Sequence, residues 1–272
     1  MQYNDYEISL IRQSCLLVEK TLAELALHIR PGITTIELDR IADEFIRANN
    51  AIPAFKGYRK FPKSVCISVN DEVVHGIPGE RIIAEGDIVS VDCGVLMNGF
   101  FGDSAFTFPV GDISEEIAAL LRVTRESLDL AIQSAVAGNR VGDISFAVQS
   151  HVEKNGYSAV RDLVGHGVGK NLHERPDIPN YGKRGNGPAL KEGMVIAIEP
   201  MINMGEYNVY TKKDKWTVVA KDGKPSAHYE HTVVVRKGKA EILTSFELIE
   251  EAVKKNVQNP LAMSGVPISI GT

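Results

Sequence analysis

The 272 residues, 44% hydrophobic and 24% charged, make an ordinary globular chain long enough for a large core. A formal charge of −5 and a pI near 5.8 argue against nucleic acid or anionic lipid as the primary ligand, because no concentrated basic surface is supplied. Cys15, Cys66 and Cys93 are too few and too scattered for a disulfide framework, which fits a reducing cytoplasm, and no run of about 18 apolar residues is present to span a membrane.

The first segment, MQYNDYEISLIRQSC, mixes acids and amides with apolar residues and is not read as a signal peptide. Residues 5–28 carry Ile8, Ile11, Leu16, Val18, Leu22 and Leu25 at helical spacing, and Pro31-Gly32 then punctuates the chain. A second helix starts at Thr34, whose hydroxyl caps the first turn while Glu37 reaches back; Leu38, Ile41, Phe45 and Ile46 then face the core. From Ser64 to Val110 the pattern changes to the β-rich runs SVCISV, DIVSVDCGVLM and FFGDSAFTFPV. Residues 114–136 return to helical spacing through Ile117, Leu120, Leu121, Leu128 and Ile132, and residues 142–155 form another helix ended by Gly156. Short strands follow around 194–199, 216–220 and 229–235, and 256–272 reads as a loosely ordered tail.

PGITTIELDRIADEFI echoes AGNRVGDISFAVQSHV, aligning Gly32 with Gly138 and Leu38 with Ile144. The echo is weak, since any two capped amphipathic helices look alike. It points to a single α+β domain, 1–272, with two similar halves of about 1–110 and 111–250 and a binding site between them.

Asn98-Gly99 is a strong hairpin signal, because a type I′ turn needs positive φ at both central residues. With Met97 opposite Phe100, Asp92 faces Ala105 and Gly94 faces Asp103, so the two aspartates become diagonal neighbours about 7 to 8 Å apart on one face. That face also carries Ser90 and Thr107, whereas Val89, Val91, Cys93, Val95, Phe106 and Phe108 line the other, which is core. A half-exposed hairpin with its polar face in water explains two aspartates by itself.

Three further features resist so plain a reading when taken together. His166 sits between Gly165 and Gly167 in VGHGVGKNLHERP, where a ligand can approach its ring, and His173 follows. Glu199 lies in the apolar run GMVIAIEPMI, where a buried carboxylate needs a cation and no neighbour is basic. Glu230 opens the β-branched strand of HYEHTVVV. One histidine and four carboxylates suit manganese, iron, cobalt or zinc, and four carboxylates balance two divalent ions, a set that activates water and polarises a carbonyl.

FPKSVCISVNDEVVHGIP, GDIVSVDCGVLMNGFFGDSAFTF, GHGVGKNLHERP, IEPMI and HYEHTVVV, in that order, resemble the type I methionine aminopeptidases of the pita-bread metallopeptidase family. The resemblance spans nearly the whole chain and implies an α+β pita-bread fold, with a curved, mainly antiparallel sheet flanked by helices. It implies that Asp92 chelates one ion, that His166 and Glu199 bind the other, and that Asp103 and Glu230 bridge the two. Glu199 then accepts and donates a proton, His75 and His173 hold substrate and tetrahedral intermediate, and Tyr58, Phe61, Cys66 and Trp216 form the methionine pocket. Leu172 stands where many relatives have a larger aromatic.

The activity implied is removal of the first methionine from nascent polypeptides with a small second residue, by a metal-bridging hydroxide. A cytoplasmic monomer with transient ribosome association is implied as well. The type II enzymes carry an insertion between their last two glutamate ligands, whereas Glu199 and Glu230 are 31 apart. The X-Pro aminopeptidases and prolidases usually carry a further N-terminal domain, for which no room precedes Asp92. They remain an alternative, as does a non-catalytic binding protein of the same fold.

Overall fold

A computed structural model describes residues 1–257 of the chain. Helix α1 (Asp5–Ala26) begins with a reciprocal cap, in which Asn4 Oδ1 accepts from the Glu7 amide at 2.9 Å and Glu7 Oε2 accepts from the Asn4 amide at 3.1 Å. Its inward stripe is Ile8, Ile11, Cys15, Val18, Leu22 and Leu25, spaced by threes and fours. Leu16, expected in the core, falls off that stripe and is 43% exposed, while Leu17 is buried.

Helix α2 (Thr35–Ala48) is capped by Thr34, whose Oγ1 accepts from the Glu37 amide at 3.3 Å. The expected return contact from Glu37 is not made. Its carboxylate pairs instead at 2.6 Å with Arg40, one turn further on, which offers a charged donor in place of a neutral amide.

The strands Ile88–Met97 and Phe100–Pro109 form the expected hairpin, with φ of 53° at Asn98 and 79° at Gly99. Its register pairs Met97 with Phe100, Gly94 with Asp103 and Asp92 with Ala105. The free edge of Ile88–Met97 takes Cys66–Val69, with Cys66 opposite Asp92, and the short strand Ile52–Pro53. Helix α1 crosses the hairpin so closely that a Cβ on Gly102 would stand 2.5 Å from the Cys15 backbone nitrogen. The face carrying Ser90, Asp103 and Thr107 does not meet water, because the C-terminal strands cover it.

Those strands run as one antiparallel ladder broken in the middle. Val195–Ile198 pairs with His231–Val234, and after a gap Met201–Asn203 pairs with Ser226–His228 in the same register. Pro200 has no N–H to give to the ladder, which accounts for the break. Val164–Gly167 pairs with Val195–Ile198, with His166 opposite Ala197, and its other edge takes Glu174–Pro179.

Helices α3 (Glu115–Ser134) and α4 (Val141–Lys154) pack together, and Gly156 takes φ 83° just past the end of α4. Helices α2 and α4 each run 14 residues, after Gly32 at φ 91° and Gly138 at φ 101°. Helix α5 (Glu247–Val257) packs on α1, and Asn256 Nδ2 donates to the carbonyls of Ala26 and Ile29 at 2.8 Å. Residues 256 and 257 therefore belong to a helix and not to the expected tail; 258–272 lie outside the described residues. One continuous core joins Leu22, Leu38, Val91, Leu128, Ile144, Ile196 and Ile249. No helix among the described residues is long and apolar enough to cross a membrane.

Candidate metal centre

Two strand pairs aim four carboxylates at one point. On the hairpin, Asp92 and Asp103 are the diagonal pair that its turn dictates. On the broken ladder, the pairs His231 with Ile198 and Met201 with His228 set Glu230 opposite Glu199 in the gap at Pro200. Glu199 thus stands just past its strand, not within it, where backbone bonding is relaxed and the side chain can turn inward. The two pairs are stitched together: the Glu230 amide donates to Ala105 O at 2.9 Å, Ser104 Oγ to Glu230 O at 2.6 Å and Thr232 Oγ1 to Asp103 O at 2.8 Å.

His166 completes the group. Its Nδ1 lies 2.9 Å from the carbonyl of Gly167, which can only accept, so the proton sits on Nδ1 and the Nε2 lone pair is free. Nε2 is 3.5 Å from Glu199 Oε1 and 3.9 Å from Asp103 Oδ2. One donor atom from each of Asp103, His166 and Glu230 lies within 4.8 Å of the others. Gly165 is needed here, since a Cβ would stand 2.4 Å from Ala197 O.

The electrostatics call for a cation. Burial, followed by the charges of their neighbours, drives Asp103 and Glu230 far above the ordinary carboxylate range. Burial raises Asp92 and Glu199 as well. Among the described residues the ion-pair partners within reach of these carboxylates are histidines, with no lysine or arginine. Asp92 Oδ1, Asp103 Oδ1 and Glu230 Oε1 are buried with no hydrogen-bond partner. Three orphaned carboxylate oxygens beside an imidazole lone pair fit hard or borderline divalent ions, which need such donors deprotonated.

All five side chains line the floor of one cavity of about 250 Å³. Its walls include each expected pocket residue, Tyr58, Phe61, Cys66 and Trp216, together with His75 and His173. Phe61 and His75 meet the Trp216 ring edge-on at 5.1 and 6.2 Å between centroids. Tyr58 stacks on His173 at 5.1 Å, and His173 lies 4.1 Å from His166. Burial lowers His75 to about 4. His173 is also lowered, by the wall behind it and then by His166, although its own edge is exposed at the mouth. His75 takes φ 59° next to Gly76, where a Cβ would strike Ile67 O at 2.1 Å; this close backbone contact sets the direction of the His75 ring.

Sequence reasoning missed Phe55 and Met201 in the wall, which carry no signal beyond being apolar. It also missed His228, buried, held below its usual pKa by burial, and with Nε2 3.7 Å from Glu199 Oε2. A signal existed, because residues two apart on a strand share a face and His228 stands two before Glu230.

A buried carboxylate and histidine centre of this kind belongs to metal-dependent hydrolysis. The chain belongs to metallopeptidase family M24, whose sequence model matches residues 9–237. Methionine aminopeptidase from Clostridium acetobutylicum is 53% identical over 245 residues, 90% of this chain and 98% of that protein. The crystal structure of methionine aminopeptidase from Rickettsia prowazekii superposes with a TM-score of 0.89 at 40% identity, over 90% of this chain and 99% of that one. X-Pro aminopeptidase from Thermotoga maritima, at TM-score 0.72 and 21% identity over 90% of this chain and 62% of that one, shares the fold alone. The fold is the expected pita-bread arrangement, and the likeness over nearly the full length is to methionine aminopeptidases. Membership carries with it the use of divalent metal and a peptide substrate.

Proposed function

We propose that the chain removes the N-terminal methionine from newly made polypeptides, preferring a small second residue, with two divalent ions held by Asp92, Asp103, His166, Glu199 and Glu230. The observation that carries this reading is the group of orphaned carboxylate oxygens beneath a pocket suited to a thioether. Asp92 would hold one ion, His166 and Glu199 the other, and Asp103 and Glu230 would serve both. Cobalt, manganese, iron or zinc bound there supplies a Lewis acid and a water of lowered pKa.

The remaining work belongs to the chain. Phe61, Cys66, Trp216 and Tyr58 take up the methionine side chain and keep water from its flank. Neutral His75 and His173 hold the first peptide carbonyl and the charge that develops on its oxygen. Glu199, whose carboxyl binds a proton more readily than usual because it is buried, accepts the proton of the attacking water and delivers it to the leaving amine. The free cysteines suit a cytoplasmic setting. There a monomer, one catalytic unit over 1–272 with halves 1–110 and 111–250, meets nascent chains in transient contact with the ribosome; the matched helices α2 and α4 support the division.

The test is metal analysis followed by release of methionine from a Met-Ala-Ser peptide and from an X-Pro peptide. Methionine should leave the first and not the second; cleavage of the X-Pro peptide alone would replace this reading. Asp103→Asn and Glu230→Gln should each lower turnover at least about 100-fold. Normal turnover with metal present would refute the bridging roles.

A further inference from the structure

We propose that His228 is a positioning residue for Glu199, donating its Nε2–H to Glu199 Oε2 so that Oε1 stays turned toward His166 and the metal side of the centre. The proposal rests on the reading of Glu199 as the proton-carrying carboxylate and names what aims it.

Glu199 lies between two imidazoles, one on each oxygen. Oε1 is 3.5 Å from His166 Nε2, and Oε2 is 3.7 Å from His228 Nε2. His228 Nε2 is buried and has no hydrogen-bond partner, a costly state for a ring nitrogen unless an acceptor closes on it. Glu199 Oε2 is a few tenths of an ångström beyond hydrogen-bond range, within the reach of a small side-chain rotation.

The backbone fixes the ring where this contact needs it. His228 pairs with Met201 across the ladder, so it is the diagonal neighbour of Glu199 on the same face as Glu230. Thr107 on the hairpin locks the strand: its Oγ1 accepts from the His228 amide at 2.9 Å and donates to the His228 carbonyl at 2.7 Å. With its one proton spent, that hydroxyl can only accept from Ser90 Oγ at 2.8 Å. Ser90 and Thr107, the small polar residues of the carboxylate face, thereby tie the position of His228 to that of Asp92 and Asp103.

A residue that only filled space could be replaced by leucine without harm to turnover. His228→Leu is expected to lower kcat about 10- to 100-fold with KM within about 2-fold, and His228→Gln, which keeps an N–H donor, to recover most of the loss. Unchanged kcat in the leucine variant, no recovery with glutamine, or a loss lying in KM would overturn the proposal. A second reading needs neither variant folded nor enzyme loaded. Nitrogen-15 NMR of the metal-free wild type at about pH 9, where the Glu199 carboxyl is ionised and can only accept, should show His228 protonated at Nε2, with a ring nitrogen signal that moves in Glu199→Gln. A bare Nε2, or a signal indifferent to Glu199→Gln, would overturn it. Wild-type protein that bound metal yet released no methionine would defeat the functional reading, and the NMR result would still decide the contact.

Discussion

Removing the metal should turn the centre into a source of instability that grows with pH. In the unfolded chain Asp92 and Glu199 titrate near their ordinary values of about 3.9 and about 4.3. In the folded, metal-free chain burial raises both to about 7, and Asp103 and Glu230 rise further because each also faces the others' charges. Folded values above unfolded ones mean that the native state binds protons more tightly. The stability these groups contribute is therefore fully present below about pH 4 and is lost as pH rises through about 7.

Asp92 and Glu199 each move by roughly three units at about 1.4 kcal/mol per unit, so the loss by about pH 8 is on the order of 8 kcal/mol from these two alone. For a chain of this size that corresponds to a fall in Tm of about 15 to 30 °C. Bound divalent ions reverse the sign, because they require the deprotonated carboxylates. Thermal unfolding of chelator-treated protein should show Tm falling between about pH 5 and 8, while manganese-loaded protein holds its Tm. In chelator at about pH 8 the double variant Asp103→Asn, Glu230→Gln, with two charges replaced by neutral isosteres, should melt above the wild type. A chelated wild type whose Tm stays level with pH and matches the double variant throughout would refute the reasoning.

Two substitutions probe the walls. Gly76→Ala would set a Cβ 2.1 Å from Ile67 O and 2.8 Å from Ile67 C, backbone atoms that cannot swing aside. A loss of about 3 kcal/mol or more and a kcat reduced through displacement of His75 are expected, and an unaltered melting curve would contradict the close contact. Trp216→Ala removes the ring against which Phe61 and His75 pack and should raise KM for methionyl peptides about 10-fold, with a smaller effect on Tm because Trp216 is half-buried at the wall. Unchanged KM in steady-state kinetics would remove Trp216 from the pocket.

What the sequence made legible was whatever short-range geometry decides. Asn98-Gly99 set the register of a ten-residue hairpin, and with it the diagonal of Asp92 and Asp103, before any tertiary contact entered. Leu16 shows the limit of periodicity: beside Leu17 it is equally apolar, and the α1 surface that meets the hairpin decides which turns inward. The pairing of Glu199 with Glu230 was beyond local reading, since it depends on two strands distant in the chain keeping register across a gap at Pro200. Their carboxylates could be suspected from their apolar neighbours but not placed. His228 was hidden differently. Its partner is one of those carboxylates, so its purpose became visible only once Glu199 had been located.

Anomalous scattering from crystals of protein purified without added metal tests the metal centre most directly. Two peaks about 3.5 to 4 Å apart are predicted, both within coordination distance of Asp103 and Glu230, one nearer Asp92 and the other nearer His166 and Glu199. Peaks elsewhere, or a metal-loaded crystal with none among these five side chains, would contradict it.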